Sequence, residues 1–205
     1  MSSKILVLPG DGIGVEVADQ TIRVIEKLNQ QGLNASYEKE LVGGASYDVN
    51  GEPLTEAVLE KAINSDAILL GAVGGSKWDD VERSKRPEAG LLSLRKELEL
   101  FANLRPALVF DALVSASTLK NEVVNNLDIM IVRELTGGVY FGQPRGIEDT
   151  PNGKKAIDTQ IYHDYEIDRI ARVAFDLARK RNNKVTSVEK ANVMETGVLW
   201  REVVK

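Results

Sequence analysis

Arg95, Arg105 and Arg133 fall on a helical pattern, an extended segment and the end of an apolar run. Each guanidinium presents a planar donor fork that fits a carboxylate, and several forks converging on one cleft would suit a small dicarboxylate. For any one of them a surface ion pair is the plainer reading. Arg133 differs because it directly follows Ile129-Met130-Ile131-Val132, where a charge needs a partner. Lys190 follows the stretch Val185 to Val188. At the carboxyl end of a sheet strand a lysine can shuttle a proton if burial lowers its pKa, although an exposed lysine is commoner. Tyr140 alternates with its neighbours in Gly137-Gly138-Val139-Tyr140-Phe141-Gly142, which allows either packing or a role as a phenolic acid. His163, the single histidine, is assigned no chemistry.

Pro9-Gly10-Asp11-Gly12-Ile13-Gly14 ends an apolar run and opens a helical one. In that setting backbone N–H groups approach a phosphate or a flat cofactor ring. The spacing is not that of the dinucleotide fingerprint, since the third glycine comes one residue early, so a simple tight turn and an α/β nucleotide site both remain open.

These groups need elements to position them. Lys4 to Leu8 reads as a buried strand ahead of a glycine turn. Val17, Thr21, Val24, Ile25 and Leu28 then recur at helical spacing, with Gly32 placed to end the helix in positive φ. The theme returns as a helix over 55–63, with Ala57, Val58, Ala62 and Ile63 apolar, and a strand over 67–73. Alternation of this kind predicts a parallel α/β sheet flanked by helices. A charged loop (77–85), a helix (87–100) and an extended segment with Pro106 (101–110) follow. A domain boundary is expected there, giving domains of 1–103 and 104–205. The second half predicts a strand over 128–132, a glycine-rich hairpin-like stretch over 136–146 and a polar loop at Pro151-Asn152-Gly153. Next come a helix over 164–181, striped by Ile167, Ile170, Ala171, Ala174, Phe175 and Ala178, a strand over 184–188 and a helix from Met194. Because that last pattern runs to Lys205 without a cap, a truncated chain is expected.

Composition narrows the function classes. The 205 residues carry 26 basic and 31 acidic side chains and no cysteine. Thiolate nucleophiles, disulfides and thiolate-held metals are excluded, and a reduced compartment is the default. The net charge of −5 argues against a nucleic-acid or membrane-surface role. The basic cluster of Arg179-Lys180-Arg181 with Lys184 reads as a solvated helix end. No apolar run approaches the roughly 20 residues of a membrane helix, and the N-terminus has no signal-peptide pattern.

Taken in order, the segments 8–14, 70–75, 86–96, 101–106, 132–142 and 189–193 resemble the 3-isopropylmalate dehydrogenases, within the isocitrate/isopropylmalate dehydrogenase family. The match covers the whole chain but only the first three fifths or so of a family member. The resemblance implies a two-domain α/β fold, here incomplete, whose second domain forms the dimer. It implies an NAD-dependent oxidative decarboxylation of 3-isopropylmalate in leucine biosynthesis, by a cytoplasmic homodimer with shared sites that uses magnesium or manganese. Arg95, Arg105 and Arg133 match malate-binding arginines, and Tyr140 and Lys190 match the catalytic pair. Glu88, Leu91 and Leu92 match the wall for the isopropyl group, completed by Val193 of the partner subunit, and Asn192 matches a substrate contact. Ile13, Gly74, Gly75, Ser76, Lys77, Trp78, Asp79, Pro87 and Glu88 match cofactor contacts. The family's metal aspartates and adenosine segment match nothing before Lys205, so no metal ligand is assigned. A silent dimer-forming fragment is the alternative, as are isocitrate, homoisocitrate and tartrate dehydrogenases. Against these, the apolar Leu91 and Leu92 favour an isopropyl group over a carboxylate.

Overall fold

Strand β1 (Ser3–Gly10) carries the most buried stretch of the chain, with Leu6, Val7 and Leu8 at most 1% exposed. A continuous aliphatic run of this kind suits a strand covered on both faces. In the computed structural model, which describes residues 2–205, helix α1 (Ile13–Asn29) leads from β1 to β2 (Ala35–Lys39). Helices α2 (Gly44–Asn50) and α3 (Glu56–Ile63) then lead to β3 (Ala67–Ala72). Both β2 and β3 are parallel to β1, in the order β2-β1-β3. Leu6 and Leu8 pack with Val42, Val58, Ala62 and Leu94, the last on α4 (Pro87–Glu97). Val7 packs with Ala18 and Ile22 of α1. The expected parallel α/β sheet is present here.

Several details depart from the sequence reading. Helix α1 buries Gly14, Ala18, Ile22 and Ile25, whereas Val17, Val24 and Leu28 are exposed. The helix carries two apolar stripes, and the one with small residues in its first turns is the one that fits against the strands. Gly14 fixes that choice, because a Cβ there would lie 2.3 Å from the Pro9 carbonyl and 2.4 Å from the Ala72 nitrogen. Gly32 does take positive φ, at 100°. Of the α3 residues expected inside, Val58 and Ala62 are buried, and Ala57 and Ile63 are exposed. Thr55 caps α3 by accepting from the Val58 N–H at 3.3 Å.

The chain divides at Leu98/Glu99, so the extended segment that contains the expected 103/104 boundary lies whole in the second unit. That unit pairs β4 (Ala102–Leu108) antiparallel with β5 (Asp128–Glu134), with short α5 (Asn121–Val124) between them. Pro106 is tolerated because β4 has a partner on one side alone. The glycine-rich stretch forms turns and not a hairpin. The hairpin is instead β6 (Gly146–Thr150) with β7 (Gly153–Ile157), turning at the Pro151-Asn152 loop. Helix α6 (Asp164–Arg179) packs against β5 and against α7 (Glu195–Val204). Ile167, Ile170 and Ala178 of its stripe are buried, whereas Phe175 is exposed. The strand expected over 184–188 forms no ladder. Its apolar residues line a cavity that β5 also lines, and an extended segment without a hydrogen-bonded neighbour is not a strand. Arg181, expected in solvent, reaches the Asp128 carboxylate at 2.7 Å.

Candidate functional site

In the first unit the expected cofactor residues gather at the carboxyl ends of β1 and β3. The order β2-β1-β3 makes this the point where the chain leaves β1 on one side and returns on the other, the crevice in which open α/β sheets take ligands. Glycine makes the crevice close-fitting. At Gly10 (φ 74°) a Cβ would fall 1.9 Å from the Ala72 carbonyl oxygen. Ile13, the first residue of α1, stands 61% exposed at this edge. Beyond β3, Gly74 (φ 110°) and Gly75 lead into a 3-10 turn at Ser76–Trp78. The Asp48 carboxylate receives Lys77 Nζ at 2.5 Å and Trp78 Nε1 at 3.1 Å. Lys77, and after it the indole N–H, holds the Asp48 carboxyl below the usual carboxylate range. Arg86 braces the next loop through the Asp79 and Val81 carbonyls at 2.5 and 2.9 Å.

Helix α4 sorts its residues by face. Pro87, Gly90 and Leu94 are buried, so the expected cofactor residue Pro87 helps to seat the helix. Glu88, Leu91, Leu92 and Arg95 recur at three- and four-residue spacing on the remaining surface. Glu88 is exposed and the other three are half-buried. The Glu88 carboxylate approaches Gly74, where a Cβ would lie 2.7 Å from Oε1. Glu88 therefore joins the α4 face to the glycine loop, which the sequence reading had placed on both sites without linking them.

The second unit brings two of its candidates into contact. The Arg133 guanidinium donates to the Tyr140 hydroxyl at 3.0 Å and lies 5.5 Å from the centre of the Tyr140 ring. Asn103 is directly opposite Arg133 in the β4–β5 register, and Arg105 donates to the Asn103 Oδ1 at 2.7 Å. With side chains alternating along each strand, Arg105, Asn103 and Arg133 share one face of the ladder. Asn103 was missed in the sequence because its link to Arg133 exists only through that register. Tyr140 is 48% exposed.

Behind this pair lies a polar network. Glu134, with its side chain 1% exposed, accepts from the Gly137 N–H at 2.8 Å, the Thr136 Oγ1 at 2.9 Å and the Thr136 N–H at 3.1 Å. Arg169 of α6 pairs with it at 3.2 Å and lies 4.6 Å from the Phe101 ring centre. Tyr162 packs on Gly137 and Gly138, where added Cβ atoms would lie 2.9 and 2.5 Å from its ring and hydroxyl. Burial, reinforced by Glu134 and Glu166, raises the Tyr162 phenol above its ordinary pKa. Glu166 accepts from the His163 N–H at 2.8 Å, and His163 is the N-cap of α6.

Lys190 is exposed, and its carbonyl accepts from Val193 and Met194 at 3.2 and 3.0 Å in the turn before α7. Its neighbour Glu189 is held below the usual carboxylate range by Arg201 and the Ala191 N–H. Arg133, Tyr140, Tyr162 and Lys190 line one cavity of about 1250 Å³. Asn192 and Val193 are exposed outside its lining. Among the described residues no three carboxylate, histidine or cysteine side chains come together as a metal requires, so the donor set on this chain does not fit a divalent cation.

The profile described as isocitrate/isopropylmalate dehydrogenase matches residues 4–205. The chain is 65% identical to a 3-isopropylmalate dehydrogenase of Rhodopseudomonas palustris, over 98% of this chain and 55% of that protein. It is 61% identical to one of Rhodospirillum rubrum, over 100% of this chain and 56% of that protein. The chain thus spans about 55% of the length of the curated relatives it matches. Among solved structures it is similar to an isocitrate dehydrogenase of Methylococcus capsulatus, with a TM-score of 0.74 at 30% identity over 98% of this chain and 56% of that one. A β-decarboxylating dehydrogenase of Thermococcus kodakarensis, crystallised in its apo form, gives 0.70 at 32% identity over 98% and 53% of the respective chains.

Proposed function

The chain belongs to the isocitrate/isopropylmalate dehydrogenase family, and from that premise we propose that it carries the substrate clamp and the nicotinamide-facing loop of an enzyme that oxidatively decarboxylates 3-isopropylmalate with NAD in leucine biosynthesis. The observation that carries this reading is the Arg133–Tyr140 contact at 3.0 Å, with Arg105 on the same strand-ladder face. It pairs an anion-binding fork with an acid at one spot. By the resemblance to the family, Arg105 and Arg133 in the second unit and Arg95 in the first are each assigned to the carboxylates of the malate moiety. Leu91 and Leu92 receive the isopropyl group, for which an apolar wall is suited and an isocitrate γ-carboxylate is not.

NAD, when bound, supplies the hydride acceptor. Ile13 and the Gly74–Asp79 loop, with Glu88 behind it, form a crevice that suits the flat nicotinamide ring. Lys190, matched by the resemblance to the family's base, takes the proton from the C2 hydroxyl as the hydride leaves C2. After carbon dioxide departs, Tyr140 delivers a proton from its hydroxyl to the enol carbon, and Arg133 stabilises the phenolate left behind. A homodimer with sites shared between subunits, in which Val193 completes the isopropyl wall of the partner's site, also belongs to the proposal. So does the cytoplasmic location that the resemblance implies.

The test is NADH formation by the full-length protein with 3-isopropylmalate, isocitrate and malate. Preference for isopropylmalate is expected, together with a loss of about 1.5–3 kcal/mol in kcat/KM for Arg133→Lys, since an ammonium cannot replace the fork. Equal use of isocitrate, or an unaffected Arg133→Lys variant, would overturn the reading.

A further inference from the structure

Asp11 is 5% exposed, and none of the ion pairs among the described residues involves it. A buried carboxylate without a cation is costly unless hydrogen bonds replace its water. Here the replacements are backbone N–H groups from two separate segments. Oδ2 accepts from Gly44 at 2.9 Å and from Gly74 at 2.9 Å, and Oδ1 accepts from Ala45 at 2.7 Å. Gly44 and Ala45 open α2, whose N-cap residue, Gly43, has no side chain to serve them. Gly43 (φ 75°) also allows the approach, since a Cβ there would lie 2.5 Å from Oδ2. The Asp11 N–H in turn donates to the Ala72 carbonyl at 2.6 Å. One side chain therefore ties together the end of β1, the start of α2 and the loop that leaves β3.

That loop has a second anchor. The Trp78 ring lies on Gly44 so closely that a Cβ would fall 2.2 Å from it, and Asp48 of α2 holds the indole N–H and Lys77. The segment from Gly74 to Trp78 is thus held at one end by Asp11, which also caps α2, and at the other by α2 through Asp48, with Gly75 and Ser76 exposed between the anchors.

We propose that Asp11 is a positioning residue that presents the Gly74–Trp78 strap in the geometry that meets the nicotinamide cofactor. It acts through three backbone N–H groups and touches no ligand itself. The proposal rests on the reading of this crevice as the NAD site. The Asp11→Asn variant keeps the shape, but it sets an amide NH₂ against at least one of three donors and leaves that N–H unpaired.

The experiment compares wild type, Asp11→Asn and the packing control Val58→Ala, all in a Trp200→Phe background so that emission reports Trp78. Amide exchange at Gly74 and NAD affinity by calorimetry are measured in parallel. Asp11→Asn is expected to shift Trp78 emission to the red, to speed Gly74 exchange and to weaken NAD binding, each rate or affinity by about tenfold. Val58→Ala is expected to lower stability without moving Trp78 or Gly74. If Asp11→Asn changes these two readouts no more than Val58→Ala does, the proposal is overturned. If Asp11→Asn does not fold, Asp48→Asn decides, because releasing the other anchor should also loosen Gly74, and unchanged exchange there would overturn the strap. A wild type that binds no NAD defeats the cofactor reading, and Trp78 and Gly74 still report whether the strap exists.

Discussion

The first unit hides an unbroken aliphatic strand under its helices, whereas the second leaves several large apolar residues of its ladder exposed and is organised around a buried carboxylate. Leu6, Val7 and Leu8 of β1 are enclosed, but Leu104 and Leu108 of β4 and Ile129 and Ile131 of β5 are exposed. In their place Glu134 gathers the Thr136-Gly137 turn and Arg169. The difference bears on function. The first unit offers a backbone crevice, shaped by closely packed glycines and tied at Asp11. The second offers side chains, and the turn that carries Tyr140 toward Arg133 is set by hydrogen bonds and not by a filled core.

The comparison breaks most directly through one leucine in each unit. Leu8→Ala removes an enclosed side chain and should cost about 2–5 kcal/mol. Leu108→Ala, at an exposed position, should cost less than about 1 kcal/mol. Urea unfolding followed by Trp78 and Trp200 emission, one tryptophan in each unit, measures both. Equal losses would mean that the ladder face is covered in solution.

A smaller effect sharpens the other side of the contrast. Glu134→Gln keeps the shape of the side chain but removes the charge and one acceptor, leaving Arg169 or the Gly137 N–H without its partner, for a loss of about 1–3 kcal/mol. Adding Arg169→Met should recover part of that loss, since replacing both members of a buried pair is milder than orphaning one. A double variant as unstable as the sum of the singles would show that Glu134 acts through the turn alone.

What the sequence disclosed follows the same line. Strands β1, β3 and β5 and helices α4 and α6 were legible because each carries its own apolar period. Strand β2 was not, since Ala35–Lys39 is polar and exposed beyond its first residue and is a strand because β1 lies beside it. Helix α2 was missed for a related reason, as its first N–H groups are capped by Asp11 from 33 residues away. The stretch over 184–188 shows the converse, an apolar run with strand composition and no ladder to join. For the site, residue types pointed to Arg133 and Tyr140 singly, but the turn between them had to fold before the two could touch. Asn103 needed the strand register as well.

The smallest expected effect concerns the exposed anchor of the first unit's loop. Lys77 and the Trp78 indole lower the Asp48 pKa below that of the unfolded chain. A lowered carboxylate pKa contributes stability that is present above the unfolded value and is lost as pH falls through the folded one. Trp78 emission should therefore stay constant from neutral pH down to about 4, near the ordinary aspartate pKa, and shift to the red below it while the far-ultraviolet signal persists. Asp48→Asn should abolish the step, and added salt should shrink it, because the pair is exposed and screened. In the second unit Glu189 is held low in the same way by Arg201, but Trp200 bonds to Ser187 Oγ and not to that carboxylate. Trp200 emission should therefore not follow the same titration, and a matching acid step at both tryptophans would indicate general unfolding instead of release of the loop.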